Sequence, residues 1–439
     1  YNGYGEVEST DWSFAGNSLY QVSLGRNLNA RPTSRTAVVD GDAATKELGH
    51  DLMGQLTSVL EGGDIVEQYS YDEMGNRIQA KSPALGPVAV TGSFADDYRL
   101  EQQGAWVFTH DANGYLAERS LADGSQATTY EYAANGELRK VTLPDGTEVT
   151  WVYDGFGRAV VRKVDGVVSH KYLYYDQVRP AAVLNADDSV QSVFVYADGY
   201  VPLYMQQGND RYYLVTDDIG TVRMVVDGSG QVVQTIDYDG YGNVIYIEDP
   251  DFDVPFGFAG GMADYDTGLV RFRFRDYDPL EGRWTAPEPL GPQEGFNPYL
   301  YVENDPISLV DPLGLGKSDE VKEIVENNGV PGQIIPDNVV DYSYDKDTGK
   351  LNIKLDKGFD VELPEEAGGG KLQFKDSLSC TVEQGKLTNM KGITYNKSTK
   401  ITGAEKVGDD TLRLHGKKWG FSGSKDIPIK DLPSLPPKK

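Results

Sequence analysis

Residues 69–77, Tyr69-Ser70-Tyr71-Asp72-Glu73-Met74-Gly75-Asn76-Arg77, read as a strand running into a tight turn. Side chains alternate along a strand, so Tyr69 and Tyr71 share one face. Asp72 caps the turn through its carboxylate and Gly75 supplies a positive φ. The phrase returns as Trp151-Val152-Tyr153-Asp154-Gly155-Phe156-Gly157-Arg158, and in weaker copies around Asp111, Ala133, Asp176 and Asp239. The equivalent positions 111, 133, 154 and 176 are 22, 21 and 22 apart. Spacing this regular marks a repeat architecture. A second strand leaves each turn, as in Ala159-Val160-Val161-Arg162-Lys163-Val164. A second turn brings the chain back, as at Asp165-Gly166, Asp145-Gly146 or Asp123-Gly124. One such hairpin cannot bury both faces, so stacked units extend a single long sheet. A β-sandwich or a propeller is the alternative, and the period is shorter than a propeller blade's.

Composition agrees with an all-β chain. Its 28 Tyr favour strands and its 50 Gly favour turns. The single Cys, Cys380, excludes an intramolecular disulfide. Tyr1-Asn2-Gly3-Tyr4 carries no signal-peptide pattern, and no apolar run approaches the length of a membrane span. The chain starts inside a repeat, so it is expected to be the C-terminal piece of something longer. Charge divides it sharply. Residues 1–315 hold 21 Lys+Arg against 48 Asp+Glu, whereas residues 316–439 hold 20 of each. The first part uses 16 Arg and 5 Lys, the second 1 Arg and 19 Lys. Tyr falls from 25 to 3. This break predicts a body ending at Leu315 and an unrelated tail beginning at Gly316. The body's excess of acid argues against binding to nucleic acid or anionic membrane.

The units resemble the YD repeats of the RHS (rearrangement hotspot) family, which is related to the teneurins and to the C subunit of insecticidal toxin complexes. The segment YYLVTDDIGTVRMVV, residues 212–226, resembles a late repeat of that family. Residues 255–315 resemble its RHS-associated core domain throughout, from PFGFAGGMADYDTGLVRFRFRDYDPLEGRW to NPYLYVENDPISLVDPLGL. The resemblance implies a hairpin spiral of repeats at 1–254 that forms part of a hollow shell. It also implies a core plug at 255–315. A body ending at Leu315 is too short to close such a shell, which implies an upstream shell segment or a partner chain.

Pro306-Ile307-Ser308-Leu309-Val310-Asp311-Pro312-Leu313-Gly314-Leu315 resembles the family's PxxxxDPxGL motif. In relatives the chain cuts itself after that Leu by aspartyl-protease chemistry. Two carboxyl groups share a site, repulsion raises one pKa, and the pair acts as base and acid. By resemblance the catalytic pair here is Asp311 and Glu288, the cut falls between Leu315 and Gly316, and Arg283 supports the site. Glu288 departs from the family's Asp. The extra methylene moves the carboxyl by roughly an ångström, which can cost on the order of 100-fold in rate. Capping of turns before Pro is the alternative role for both acids.

The tail, 316–439, carries no family resemblance. Ser318 with Asp319 and Glu320 predicts a capped helix over 319–328, stopped by Gly329. Strands are expected at 351–355, 371–374, 379–383, 393–395 and 411–414, giving a small β-rich α+β domain. The last eight residues read as extended or disordered. His415, with Asp409 and Asp410 nearby, is the candidate for tail chemistry, and a solvated hairpin is the competing reading. Cys380 reads as a buried structural residue. The sequence shows no phosphate loop, no paired-Cys zinc site and no HExxH motif, so neither a metal nor a cofactor is expected. Three readings follow. By analogy with the family, the tail is the toxin or effector of a secreted polymorphic toxin of bacterial origin. It is then delivered to a target cell by dedicated machinery and neutralised at home by a cognate immunity protein. In the second reading the chain is a teneurin-like adhesion protein with a harmless tail. In the third the tail acts by ligand binding or membrane lesion without catalysis.

Overall fold

The structure is a computed structural model. It describes residues 2, 7–28, 30–39, 41–197, 199–289, 297–315, 317–336, 339–346, 348–355, 358–363, 370–396, 398–408, 411–418 and 421–428. These form two compact units, Tyr1–Gly314 and Leu315–Lys439.

Among the described residues the first unit holds a meander of 23 strands, from Ser9–Phe14 to Val244–Ile247, and a separate four-stranded sheet from Met262–Asp264 to Arg283–Trp284. Every strand pairs antiparallel with the next in sequence. The tyrosine turns have the expected chemistry. Asp154 Oδ1 accepts the N–H groups of Phe156 (2.9 Å) and Arg158 (3.0 Å). The Gly157 N–H donates to the Asp154 carbonyl at 3.0 Å, with φ at +73°. Asp72 and Asp239 repeat this pattern. The Ala133 copy keeps the backbone bonds without the carboxylate. One further copy escaped the sequence reading. Asp51 accepts from Gly54 and Gln55 at 2.8 and 2.9 Å, but the residue before it is His50, not Tyr.

Each tyrosine turn is also preceded by a β-bulge. Val152 faces Val161, but Tyr153 faces Ala159. The same one-residue slip occurs at Ser70/Tyr71, Glu131/Tyr132 and Leu173/Tyr174. Bulges increase strand twist, so the sheet curves at every unit.

Units are joined by their tyrosines. The hydroxyl of Tyr153 donates to the Leu138 carbonyl at 2.8 Å, that of Tyr174 to Ala159 at 3.0 Å, and that of Tyr196 to Pro180 at 2.7 Å. Tyr71 does the same to Leu56 at 2.5 Å. In each case the acceptor is the first residue of the strand that follows the preceding repeat turn. The arginine of one unit also stacks on the next tyrosine, as in Arg139 over Tyr153 (4.7 Å) and Arg158 over Tyr174 (5.1 Å).

The curved sheet packs on itself. Tyr20, Val22 and Leu24 share a cluster with Val215, Met224 and Val226, and Arg35 pairs with Asp218 at 2.7 Å. Residues 252–307 then enter the remaining apolar clusters in turn. Phe256 packs with Phe194, Phe258 with Tyr238, Leu269 with Leu138, and Ile307 with Leu56. This segment is tied to repeat turns by polar contacts such as Arg162–Asp264 at 2.8 Å and Asn304 Nδ2 to the Gly75 carbonyl at 2.8 Å.

The second unit is an eight-stranded antiparallel sheet with one helix. The helix spans Lys317–Asn327, two residues earlier than expected, and buries Val321 and Val325 against the sheet. The two short strands expected at 371–374 and 379–383 are one strand, Lys371–Glu383. Register slips against its neighbour between Phe374 and Thr381 break the alternation that a sequence reading relies on. Strands Val339–Asp345, Phe359–Glu362, Thr399–Val407 and Phe421–Pro428 had no sequence forecast. They are rich in Lys, Asp and Ser and hold their places through pairing partners instead. The chain's last eight residues lie outside the described residues. Cys380 is buried as expected, and burial pushes its thiol up to about 12.

Two outcomes are expected. Tyr153→Phe removes one bond between units and lowers the unfolding free energy of the chain by about 1 kcal/mol, read from chemical denaturation. Glu67 is 1% exposed, accepts from Tyr69 (2.7 Å) and the Gly240 N–H (2.9 Å), and is pushed up to about 7 by burial and then by Asp239. A raised carboxyl stabilises the fold fully below its unfolded pKa and loses that contribution as pH rises through the folded value. The melting temperature should therefore fall between pH 6 and 8 more steeply in the native chain than in Glu67→Gln; parallel curves would show that Glu67 does not titrate there.

Candidate functional site

Glu288 and Asp311 come from separate loops of the 255–314 segment. The Glu288 N–H donates to the Pro298 carbonyl at 3.0 Å. Asp311 is 8% exposed, and its Oδ1 accepts the Gly314 N–H at 2.7 Å. Gly314 has φ +68°, and a Cβ there would lie 3.1 Å from the Arg275 nitrogen, so only glycine fits this turn.

Arg275 joins the two loops. Its Nη2 lies 2.8 Å from Glu288 Oε2 and 3.6 Å from Asp311 Oδ2. Its Nε donates to the Gly314 carbonyl at 2.6 Å and its Nη1 to the Pro298 carbonyl at 3.1 Å. The guanidinium stacks on Trp284, 4.3 Å from the ring centre. The Phe274 N–H holds the Leu313 carbonyl at 2.8 Å. Burial, and then the charge of Asp311, push the Tyr301 phenol well above its ordinary range, so it stays a neutral wall of the site.

The geometry revises the electrostatics expected from the sequence. A carboxylate pair standing alone would repel and share a proton. Here a guanidinium stands between them, 2.8 Å from one carboxylate and 3.6 Å from the other. Arg275 also holds the carbonyl one residue before Leu315. The sequence reading assigned the supporting role to Arg283. Arg283 instead donates to the Tyr98 carbonyl at 2.6 Å and stacks on Phe94 and Tyr299, and burial pulls its pKa down. It fastens the segment to the repeats. The run Arg271-Phe272-Arg273-Phe274-Arg275 marks a concentration of guanidiniums in the sequence, but residues 272–275 form the turn between strands Leu269–Arg271 and Asp276–Asp278, so alternation could not assign Arg275 its place.

Leu315 is buried, and Gly316 lies outside the described residues. So do Asp409 and Asp410. His415 is partly exposed on strand Thr411–Lys418, with Nε2 3.3 Å from Glu405 Oε1. Its neighbour Arg413 pairs with Asp426 at 2.6 Å, so His415 stands in a line of surface ion pairs. Among the described residues no cluster of His, Cys, Asp and Glu is placed to hold a metal ion.

A curved meander of Tyr-Asp hairpins that takes its own C-terminal segment into its apolar clusters is a YD-repeat protein. Residues 1–307 match the family model described as Teneurin YD-shell, and the chain belongs to that family. Residues 321–410 match a second model, described as a protein of unknown function, DUF538. Teneurin-3 of Mus musculus is 24% identical over 353 residues, covering 76% of this chain and 13% of that protein. Teneurin-1 of Homo sapiens is 29% identical over 307 residues, covering 64% and 10%. The tRNA3(Ser)-specific nuclease WapA of Bacillus spizizenii is 26% identical over 261 residues, covering 58% and 11%. The chain thus spans between 10% and 13% of the length of these relatives. Among solved structures, the TcdB2-TccC3-TEV crystal structure matches with a TM-score of 0.48 at 17% identity, over 69% of this chain and 19% of that one.

Arg275→Met removes one cation from beside two part-buried carboxylates. The expected cost is about 3 kcal/mol of stability at pH 8, measured by urea unfolding.

Proposed function

We propose that the chain is the C-terminal part of an RHS-type polymorphic toxin. In this reading residues 1–254 form a shell segment, 255–315 a core with the cleavage site, and 316–439 the effector. The meeting of Asp311, Glu288 and the Gly314 carbonyl on one buried guanidinium, one residue before Leu315 in the chain, carries the proposal. A second support is the relative whose name declares a nuclease, 26% identical over 261 residues. The upstream shell segment or partner chain, the delivery machinery, secretion towards a target cell and a cognate immunity protein belong to this proposal. So does a body too acidic to bind nucleic acid itself.

In the proposed cut, one carboxylate takes a proton from water as the water oxygen adds to the Leu315 carbonyl carbon. The other, protonated, gives its proton to the Gly316 nitrogen as the C–N bond breaks. The products are a Leu315 carboxyl and a Gly316 amine. Arg275 orients the Gly314 carbonyl and holds both acids. The longer arm of Glu288 slows the cut.

The teneurin matches favour a second reading, a surface adhesion protein with a harmless tail. Producing residues 316–439 alone in bacterial cytoplasm and periplasm separates the two. Arrested growth is expected for an effector, and normal growth in both compartments at high expression would remove the toxin reading. For the cleavage, intact-mass measurement should show a fragment ending at Leu315. It should accumulate on the order of 100-fold faster in Glu288→Asp and be absent in Asp311→Asn. Full-length mass alone in both native chain and Glu288→Asp, after prolonged incubation, would exclude self-cleavage.

A further inference from the structure

The sheet of the second unit turns one face to its apolar cluster and the other to solvent. Strand pairing lays out the solvent face in rows. One row crosses strands Lys386–Tyr395, Thr399–Val407 and Thr411–Lys418 through Thr394, Lys400 and Lys417. Lys400 and Lys417 stand directly opposite each other across the ladder, and both are exposed. Lys391, exposed on the same strand as Thr394, adds a third ammonium. Asp360 lies at the far end of this row, beyond Gln373, and is held by Lys371 at 2.9 Å. A second row on the same strands is balanced. Lys386, Glu405, Arg413 and Asp426 alternate in sign, with Arg413 2.6 Å from Asp426 and Lys386 3.0 Å from Glu383. The tail holds equal numbers of acidic and basic residues, so the lysine row is a local segregation of charge and not a surplus.

Like charges directly opposite in a sheet are destabilising, so the fold gains nothing from placing Lys400 against Lys417. An anion that meets both ammonium groups turns the repulsion into binding. Their long flexible stems allow the two heads to spread onto separate phosphates. The rest of the surface selects among polyanions. Among the described residues of the tail no large apolar side chain is exposed. The face therefore lacks the apolar anchors with which proteins enter a lipid surface. It also lacks exposed aromatic rings on which unpaired bases could stack. Ammonium groups without rings suit the phosphates of a duplex, whose bases are already stacked.

We propose that the solvent face around Lys391, Lys400 and Lys417 binds the phosphate backbone of double-stranded nucleic acid, without reading its sequence. The acidic body takes no part in this contact. The site shares no residue with the proposed self-cleavage, so either can fail without the other.

Fluorescence anisotropy of a labelled DNA duplex, titrated with the full chain at low salt, tests the proposal. Saturable binding is expected, equal for two duplexes of unrelated sequence. It should weaken with salt on a log–log slope of about −2 to −3, one unit for each phosphate contact. Replacing both Lys400→Ser and Lys417→Ser should weaken binding about 10-fold or more and flatten the slope by about 2. Lys417→Glu should abolish binding and at the same time raise the melting temperature, because it replaces a cross-strand repulsion with an opposite-charge pair. A merely structural lysine would not move the two readouts in opposite directions. Lys386→Ser, in the balanced row, should bind as the native chain does. Absence of saturable binding at low salt, native affinity in the double serine variant, an equal loss in Lys386→Ser, or tighter binding to phosphatidylserine vesicles than to the duplex would each overturn the proposal.

Discussion

A tyrosine hydroxyl that reaches back to the start of an earlier strand fixes how one hairpin sits on the next. Each bond spans 15 or 16 residues, from Tyr71 to Leu56, Tyr153 to Leu138, Tyr174 to Ala159 and Tyr196 to Pro180. A ladder of main-chain bonds alone would allow neighbouring hairpins to slide or flatten. The hydroxyl removes that freedom because its acceptor follows a bulge, where the strand is bent and twisted. The arginine that leaves the preceding turn then closes over the same tyrosine ring. Curvature, and with it the concave face that receives residues 252–307, follows from this repeated contact.

Arginine does a different job here from that suggested by net charge. In an acidic body the guanidiniums are spent inward, against tyrosine rings, turn carboxylates and carbonyls of the core segment. Arg77 donates to the Leu280 carbonyl, Arg119 pairs with Asp278, and Arg162 pairs with Asp264. These contacts cross more than 100 positions of sequence. They explain why the body uses Arg and almost no Lys: a planar fork that also stacks can satisfy a carboxylate and a ring together, which an ammonium does not do as well. Arg275 is the extreme case, holding two carboxylates, two carbonyls and an indole at once.

The local chemistry of each repeat was legible in the sequence because it is local. Asp at the start of the turn and Gly three residues on dictate the hydrogen bonds without help from the rest of the chain. The change of composition at Leu315 was legible for the same reason, being a property of residues and not of contacts. Arg283 shows where this reasoning stops. It neighbours Trp284 in sequence, yet its guanidinium turns to Tyr98 while Arg275, nine residues from Trp284, stacks on the indole. In the tail, strands such as Thr399–Val407 lack any apolar alternation strong enough to read, and only their partners define them.

The sequence by itself determined a repeating Tyr-Asp hairpin, its period, an all-β body and the pair of acids flanking a Gly-Leu end. Tertiary structure decided the rest. It placed a bulge before each tyrosine turn and brought the first hairpins against the last. It also inserted one guanidinium between Glu288 and Asp311. Periodicity is written in nearest neighbours and so survives in one dimension. The partner of a buried charge is chosen by which distant loops the folded sheet brings together, and no spacing along the chain encodes that choice.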